Sequence, residues 1–187
     1  ETYPPLVSLW FKHLSRYNVH GQTWIGPMPG NGDYDKKHYN KKRHTIIFKP
    51  SHYNHSKDPD VLIWLHGHNG FNKFGTRVLR HLSTLNDRGK NTLVIAIEQP
   101  WSHWTKTRTS RNGTGPFSTS GEIEVWLDNL FLVVQDFGIS PDRILSKNIT
   151  LVGHSAGGSG IMSMAKSGAL GILKPGTIIF SDSTYGR

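Results

Sequence analysis

The chain has 187 residues, enough for one domain with a sizeable core. It contains no cysteine, which excludes disulfides, thiolate nucleophiles and cysteine-based zinc sites. Its formal charge is +9, and no apolar run approaches the roughly 18 residues that a membrane span requires. Part of the charge sits in "KKHYNKKRH" (Lys36–His44), which reads as a solvated face. No recognition helix, zinc finger or RNP-like segment accompanies it, so no specific nucleic-acid partner is expected. The compartment stays open, with a weak preference for a periplasmic or secreted protein. Sequons occur at Asn54, Asn112 and Asn148, and they carry meaning only in a eukaryotic source.

Residues 1–43 are rich in Gly, Pro, Asn and Tyr and carry the turn signals "GPMPGNGD". They predict an irregular N-terminal region with one strand near Gln22–Ile25. "HTIIFKP" (His44–Pro50) predicts a strand closed by proline, followed by a polar turn. "VLIWLHG" (Val61–Gly67) is apolar almost throughout, as a strand buried on both faces should be. Phe74–Gly89 shows helical spacing at Val78, Leu82 and Leu85, with Gly89 as a stop. "NTLVIAIEQP" (Asn91–Pro100) predicts another buried strand. Ser120–Ile139 predicts a long amphipathic helix capped by Ser120, with Glu122 and Glu124 in its first turn. "ITLVGHS" then predicts a third buried strand, "AGGSGIMSMAKSG" a helix, and "GTIIFSD" (Gly176–Asp182) a fourth strand whose apolar character suits a covered edge.

Strands that alternate with helices at this spacing imply an α/β fold: a mostly parallel sheet with helices on both faces. In open sheets of that kind, functional groups gather at the carboxyl ends of the strands. Here those ends carry "HGHNG", "EQPWSHW", "GHSAGG" and "SDSTYG". The third contains a serine between glycines. A serine hydroxyl is a weak nucleophile and must be exposed at a sharp turn, beside a base, with amide donors near the developing oxyanion. A strand-turn-helix does this when small residues stand two before and two after, as Gly153 and Gly157 do around Ser155.

These segments resemble the α/β-hydrolase superfamily, in its esterase and polyester-depolymerase-like branches. "GHSAGG" (Gly153–Gly158) is similar to its nucleophile elbow and "LHGHNG" (Leu65–Gly70) to its His-Gly loop, and the resemblance spans about Arg43 to Asp182. It implies one α/β-hydrolase domain over 1–187 and a serine hydrolase acting on an ester- or acyl-bearing substrate, with no metal or organic cofactor. It implies an oxyanion hole at the backbone amides of Ala156 and His68, and leaves the side chains of His66 and His68 as loop braces rather than catalysts. His66, Glu98, Trp101 and Trp104 stand as candidate substrate-binding residues. Glu98 reads first as an acid bracing its own loop, and the two tryptophans read equally as loop packing.

Superfamily members carry their triad in the order nucleophile, acid, histidine. All eleven histidines of this chain precede Ser155, and only Asp182 follows it as an acid. The resemblance therefore leaves Asp182 as a candidate triad acid and predicts the base on a further C-terminal segment, a fragment of the same protein separated by cleavage or truncation. A degenerate hydrolase fold kept as a binding protein, with its basic surface on an anionic partner, is the alternative.

Overall fold

The computed structural model describes residues 4–31, 43–67, 78–79, 90–99, 117 and 119–183. Six strands form one mixed sheet: β1 (Gly21–Pro27), β2 (His44–Pro50), β3 (Asp60–Leu65), β4 (Thr92–Ile97), β5 (Ile149–His154) and β6 (Thr177–Ser181). Their order is β1-β2-β4-β3-β5-β6. β1–β2 and β2–β4 are antiparallel, while β4, β3, β5 and β6 run parallel. Four described helices accompany them: α1 (Pro4–Arg16), α2 (Ser120–Asp136), α3 (Gly157–Ser167) and α4 (Ala169–Leu173). None of the described helices is long and apolar enough to cross a membrane.

The apolar runs become the middle of the sheet. All six residues of β4 are buried, because β4 has a paired strand on each side and side chains packed on each face. Successive side chains of a strand point to opposite faces. Ile47, Ile63, Leu93 and Ile95 accordingly meet Ile123, Trp126, Leu130 and Ile161 from α2 and α3 on one face. Ile46, Phe48, Val94 and Ala96 meet Trp10 and Leu14 of α1, with Val78 and Leu79, on the other.

Three features differ from the sequence expectation. The region expected to be irregular begins with helix α1. Pro4 and Pro5 occupy its first two positions, where a missing N–H costs nothing. Trp10 and Leu14, four apart, bury its inner face, and the Trp10 indole donates to Thr23 Oγ1 at 2.9 Å. Strand β6 has the predicted apolar sequence but is not buried: Ile178, Ile179 and Phe180 are 40%, 43% and 51% exposed. Among the described residues nothing pairs with its outer edge. The cap of α2 is also one residue earlier than expected, at Thr119, whose N–H donates to Glu122 Oε2 at 3.3 Å. The helix predicted over Phe74–Gly89 lies outside the described residues apart from Val78 and Leu79.

Candidate active site

The strand registers bring four chain segments to one rim. Leu65 of β3 is level with Ile97 of β4 and with Gly153 of β5, and His154 is level with Ser181 of β6. His66, Gln99, Ser155 and Asp182 therefore all stand within two residues of the same line across the sheet. The N–H of Ser155 extends the ladder by donating to the Ser181 carbonyl at 2.8 Å.

At Ser155 the chain turns from β5 into α3. Ser155 has φ of 53°, a left-handed conformation that costs an L residue about 1 kcal/mol or more. It is partly exposed, whereas β5 before it is buried except at Thr150 and His154. The flanking glycines are required by contact. A Cβ on Gly157 would lie 2.1 Å from the Leu65 carbonyl oxygen, and one on Gly153 would lie 2.7 Å from Ile161 Cδ1. The turn is thus pressed against the end of β3, and only hydrogen atoms fit between.

Ala156 follows with helical angles and caps α3, accepting from Ser159 N–H at 3.0 Å. Its own N–H has no acceptor among the described residues. It belongs to the set of unpaired donors that any helix start presents, and such donors favour negative charge. Likewise nothing among the described residues hydrogen-bonds the Ser155 hydroxyl. The neighbouring His154 turns its ring onto Trp64, with centroids 5.7 Å apart and planes nearly parallel at 13°.

His66 and Glu98 are buried polar groups at the ends of β3 and β4. His66 is 1% exposed and hydrogen-bonds through both ring nitrogens, to Gly67 O and to Gln99 N. Glu98 is 2% exposed. Its Oε2 accepts from the His44 N–H at 2.8 Å and lies 3.5 Å from His44 Nδ1, tying the ends of β2 and β4 together. Burial and bonding of this kind are what a loop-bracing group at a strand end shows. Asp182 is exposed, directly after β6, with φ of 51°. His68, Trp101 and Trp104 lie outside the described residues.

Sequence reasoning missed two rim residues. Ser183 Oγ donates to the Gly153 carbonyl at 2.7 Å, which locks the end of β6 to the start of the turn. Gln99 is wholly buried, and its side-chain amide has no hydrogen-bond partner among the described residues. The only signal for either was its position just past a strand end.

A parallel sheet of this order, with an antiparallel pair at one edge and a strained serine between β5 and a helix, decides the architecture. This is the α/β-hydrolase fold. No protein-family model matches the sequence, and no curated relative does. Among solved structures the chain is similar to fungal esterases from Rhizomucor miehei, with 16% identity, a TM-score of 0.48, and coverage of 96% of this chain and 52% of that one. It is similar to EstE1, a thermostable carboxylesterase from a metagenomic library, with 14% identity, a TM-score of 0.47, and coverage of 94% and 54%. A Pyrobaculum calidifontis esterase is similar at 12% identity and a TM-score of 0.46, over 90% of this chain and 47% of that one. The chain spans about half the length of these structures.

Proposed function

We propose that the protein is a serine hydrolase that cleaves an ester bond, or an amide, through an acyl-enzyme at Ser155. The observation that carries this reading is the strained, partly exposed Ser155 held at φ of 53° on a turn that only glycines can flank. Such strain persists only where the surrounding structure imposes it, and it clusters at reactive sites. In the first step Ser155 Oγ bonds to the substrate carbonyl carbon and its proton passes to a base. Collapse of the adduct expels the alcohol, which takes that proton, and water then hydrolyses the acyl group. The amides of Ala156 and His68 hold the oxyanion, and Asp182 orients the base. Trp101 and Trp104 line the acyl or polymer cleft.

The base in this reading is a histidine on a C-terminal segment of the same protein, docked along β6. The exposed Ile178, Ile179 and Phe180 support it, since an apolar strand edge is normally covered or paired. One observation favours the second reading, a non-catalytic binding protein that engages an anionic partner: the formal charge of +9.

Fluorophosphonate labelling of the full-length protein separates the two. The hydrolase reading expects one adduct, on Ser155, that Ser155→Ala abolishes. No labelling of the wild type, or labelling that survives in the variant, would reject it.

A further inference from the structure

Strand β6 ends at Ser181, and the next two residues turn back onto the sheet. Phe180 is level with Gly153. Were the strand to continue, residue 183 would stand roughly 10 Å past that level, three residues further on. Ser183 Oγ instead lies 2.7 Å from the Gly153 carbonyl oxygen. The left-handed Asp182, with φ of 51°, makes this fold-back. The Ser181 carbonyl is a second neighbour of the hydroxyl, at 3.1 Å. A hydroxyl carries one hydrogen, so it donates to one carbonyl at a time, and Gly153 is the nearer.

Two bonds therefore bracket the nucleophile. The Ser155 N–H donates to the Ser181 carbonyl at 2.8 Å, and the carbonyl of Gly153, two residues before Ser155, is held by Ser183. Ser155 and Asp182 each follow one of the paired residues His154 and Ser181, and both are left-handed, at φ of 53° and 51°. Backbone of this kind persists only where its surroundings over-determine it. The seat of Ser183 also reaches α3. A Cβ on Gly158 would lie 2.6 Å from Ser183 Cβ and 2.9 Å from its Oγ. Glycine weakens a helix relative to alanine, so Gly158 in the first turn of α3 is explained by the room that Ser183 needs.

We propose that Ser183 is a positioning residue for the nucleophile: its hydroxyl, seated between Gly153 and Gly158, couples the left-handed turn at Asp182 to the one at Ser155 and so holds Ser155 in its reactive orientation. This rests on the hydrolase reading and adds to that site a control from β6. Ser183 acts through the Gly153 carbonyl and not on the substrate.

Ser183→Ala removes the donor and keeps the Cβ. Ser167→Ala is the matched control, since Ser167 Oγ donates to the Met164 carbonyl at 3.2 Å at the far end of the same helix. Both are measured in the full-length protein, at a temperature where each variant is folded. Fluorophosphonate labelling at Ser155 should slow about tenfold in Ser183→Ala and stay within about threefold of wild type in Ser167→Ala, because a misaimed nucleophile loses rate where a distant lost bond does not. Melting temperatures of the two should fall alike. On p-nitrophenyl acetate, Ser183→Ala should lose kcat with KM within about threefold. Gly158→Ala attacks the same seat from the other side: its methyl displaces Ser183, and labelling should again slow about tenfold although alanine suits a helix better. Hydrogen exchange of the Ser155 amide reads the bracket without turnover, and about tenfold faster exchange is expected in Ser183→Ala. Labelling of Ser183→Ala within about threefold of wild type, an equal loss in Ser167→Ala, a loss confined to KM, or unchanged exchange at Ser155 would reduce Ser183 to a fastening of β6 and overturn the inference, leaving the hydrolase reading intact. Should Ser183→Ala fail to fold, Gly158→Ala decides, and unchanged labelling there overturns the inference. Absence of Ser155-dependent labelling in the wild type would overturn the hydrolase reading, and this inference with it.

Discussion

The two rims of the sheet are built differently. At the amino ends of the parallel strands, side chains cross-link the turns. Asn91, just before β4, accepts from Asn54 N–H at 2.8 Å and donates to the carbonyls of Asn54, Lys57 and Asp58. Arg143 Nε pairs with Asp58 at 2.9 Å, its guanidinium also donates to the His55 carbonyl, and Lys49 Nζ donates to the Phe137 carbonyl at 2.7 Å. At the carboxyl ends the described residues keep an unpaired amide at Ala156 and a buried, unbonded amide on Gln99, while left-handed non-glycine residues occur at both rims: Ser155 and Asp182 here, Asn18 and Lys174 at the amino ends. Buried or strained polar groups are costly, and natural proteins tolerate them chiefly where function requires them. One rim therefore secures the fold, and the other keeps its donors available.

The largest expected break in this contrast is Gly157→Ala. The added methyl would meet the Leu65 carbonyl at 2.1 Å, against backbone that cannot rotate aside. We expect a loss of about 3 kcal/mol or more in urea unfolding, since overpacking at a rigid contact is costly. Labelling at Ser155 should slow as well, because the turn and the β3 loop must separate. A variant with a native midpoint and native labelling would show that the close approach is not required.

Asn91→Ala tests the other rim. Asn91 is 6% exposed, and the substitution strips partners from one N–H and three carbonyls. A loss of about 2–3 kcal/mol is expected from the groups left unpaired. Labelling per folded molecule should not change, because no part of this network reaches the Ser155 turn. A slower labelling rate at full folding would join the two rims into one unit and remove the contrast.

Much of the architecture was legible in the sequence because it depends on local pattern. Continuous apolar runs marked β3, β4 and β5, and the Gly-Ser-Gly spacing marked the turn whose φ of 53° and glycine contacts the structure supplies. What was illegible depends on long-range packing. Helix α1 was hidden because two prolines suggest a loop unless they occupy the first helical positions. The exposure of β6 could not be read from "TIIFSD", since an apolar strand looks the same whether or not its neighbours are present. Glu98 and His66 were ambiguous because a carboxylate or imidazole at a strand end serves a substrate or a loop equally well; only their partners, His44, Gly67 and Gln99, distinguish the two. The oxyanion donors and the triad acid remain proposals that rest on the resemblance.

The smallest expected effect concerns the strain itself. Ser155→Gly removes the Cβ that makes φ of 53° unfavourable, a relief of about 1 kcal/mol. Glycine also loosens the unfolded chain, which returns about 0.4–1 kcal/mol. The hydroxyl has no hydrogen bond to lose among the described residues, so its removal adds no penalty there. Ser155→Ala is the proper reference, because it removes the hydroxyl and retains the strained Cβ. Both variants should be inactive, and chemical unfolding should find the glycine variant as stable as the alanine variant or more stable by up to about 1 kcal/mol. An alanine variant that is the more stable by more than about 1 kcal/mol would mean that the turn is not strained at Ser155. The stored conformational energy assigned to the nucleophile's turn would then have to be withdrawn.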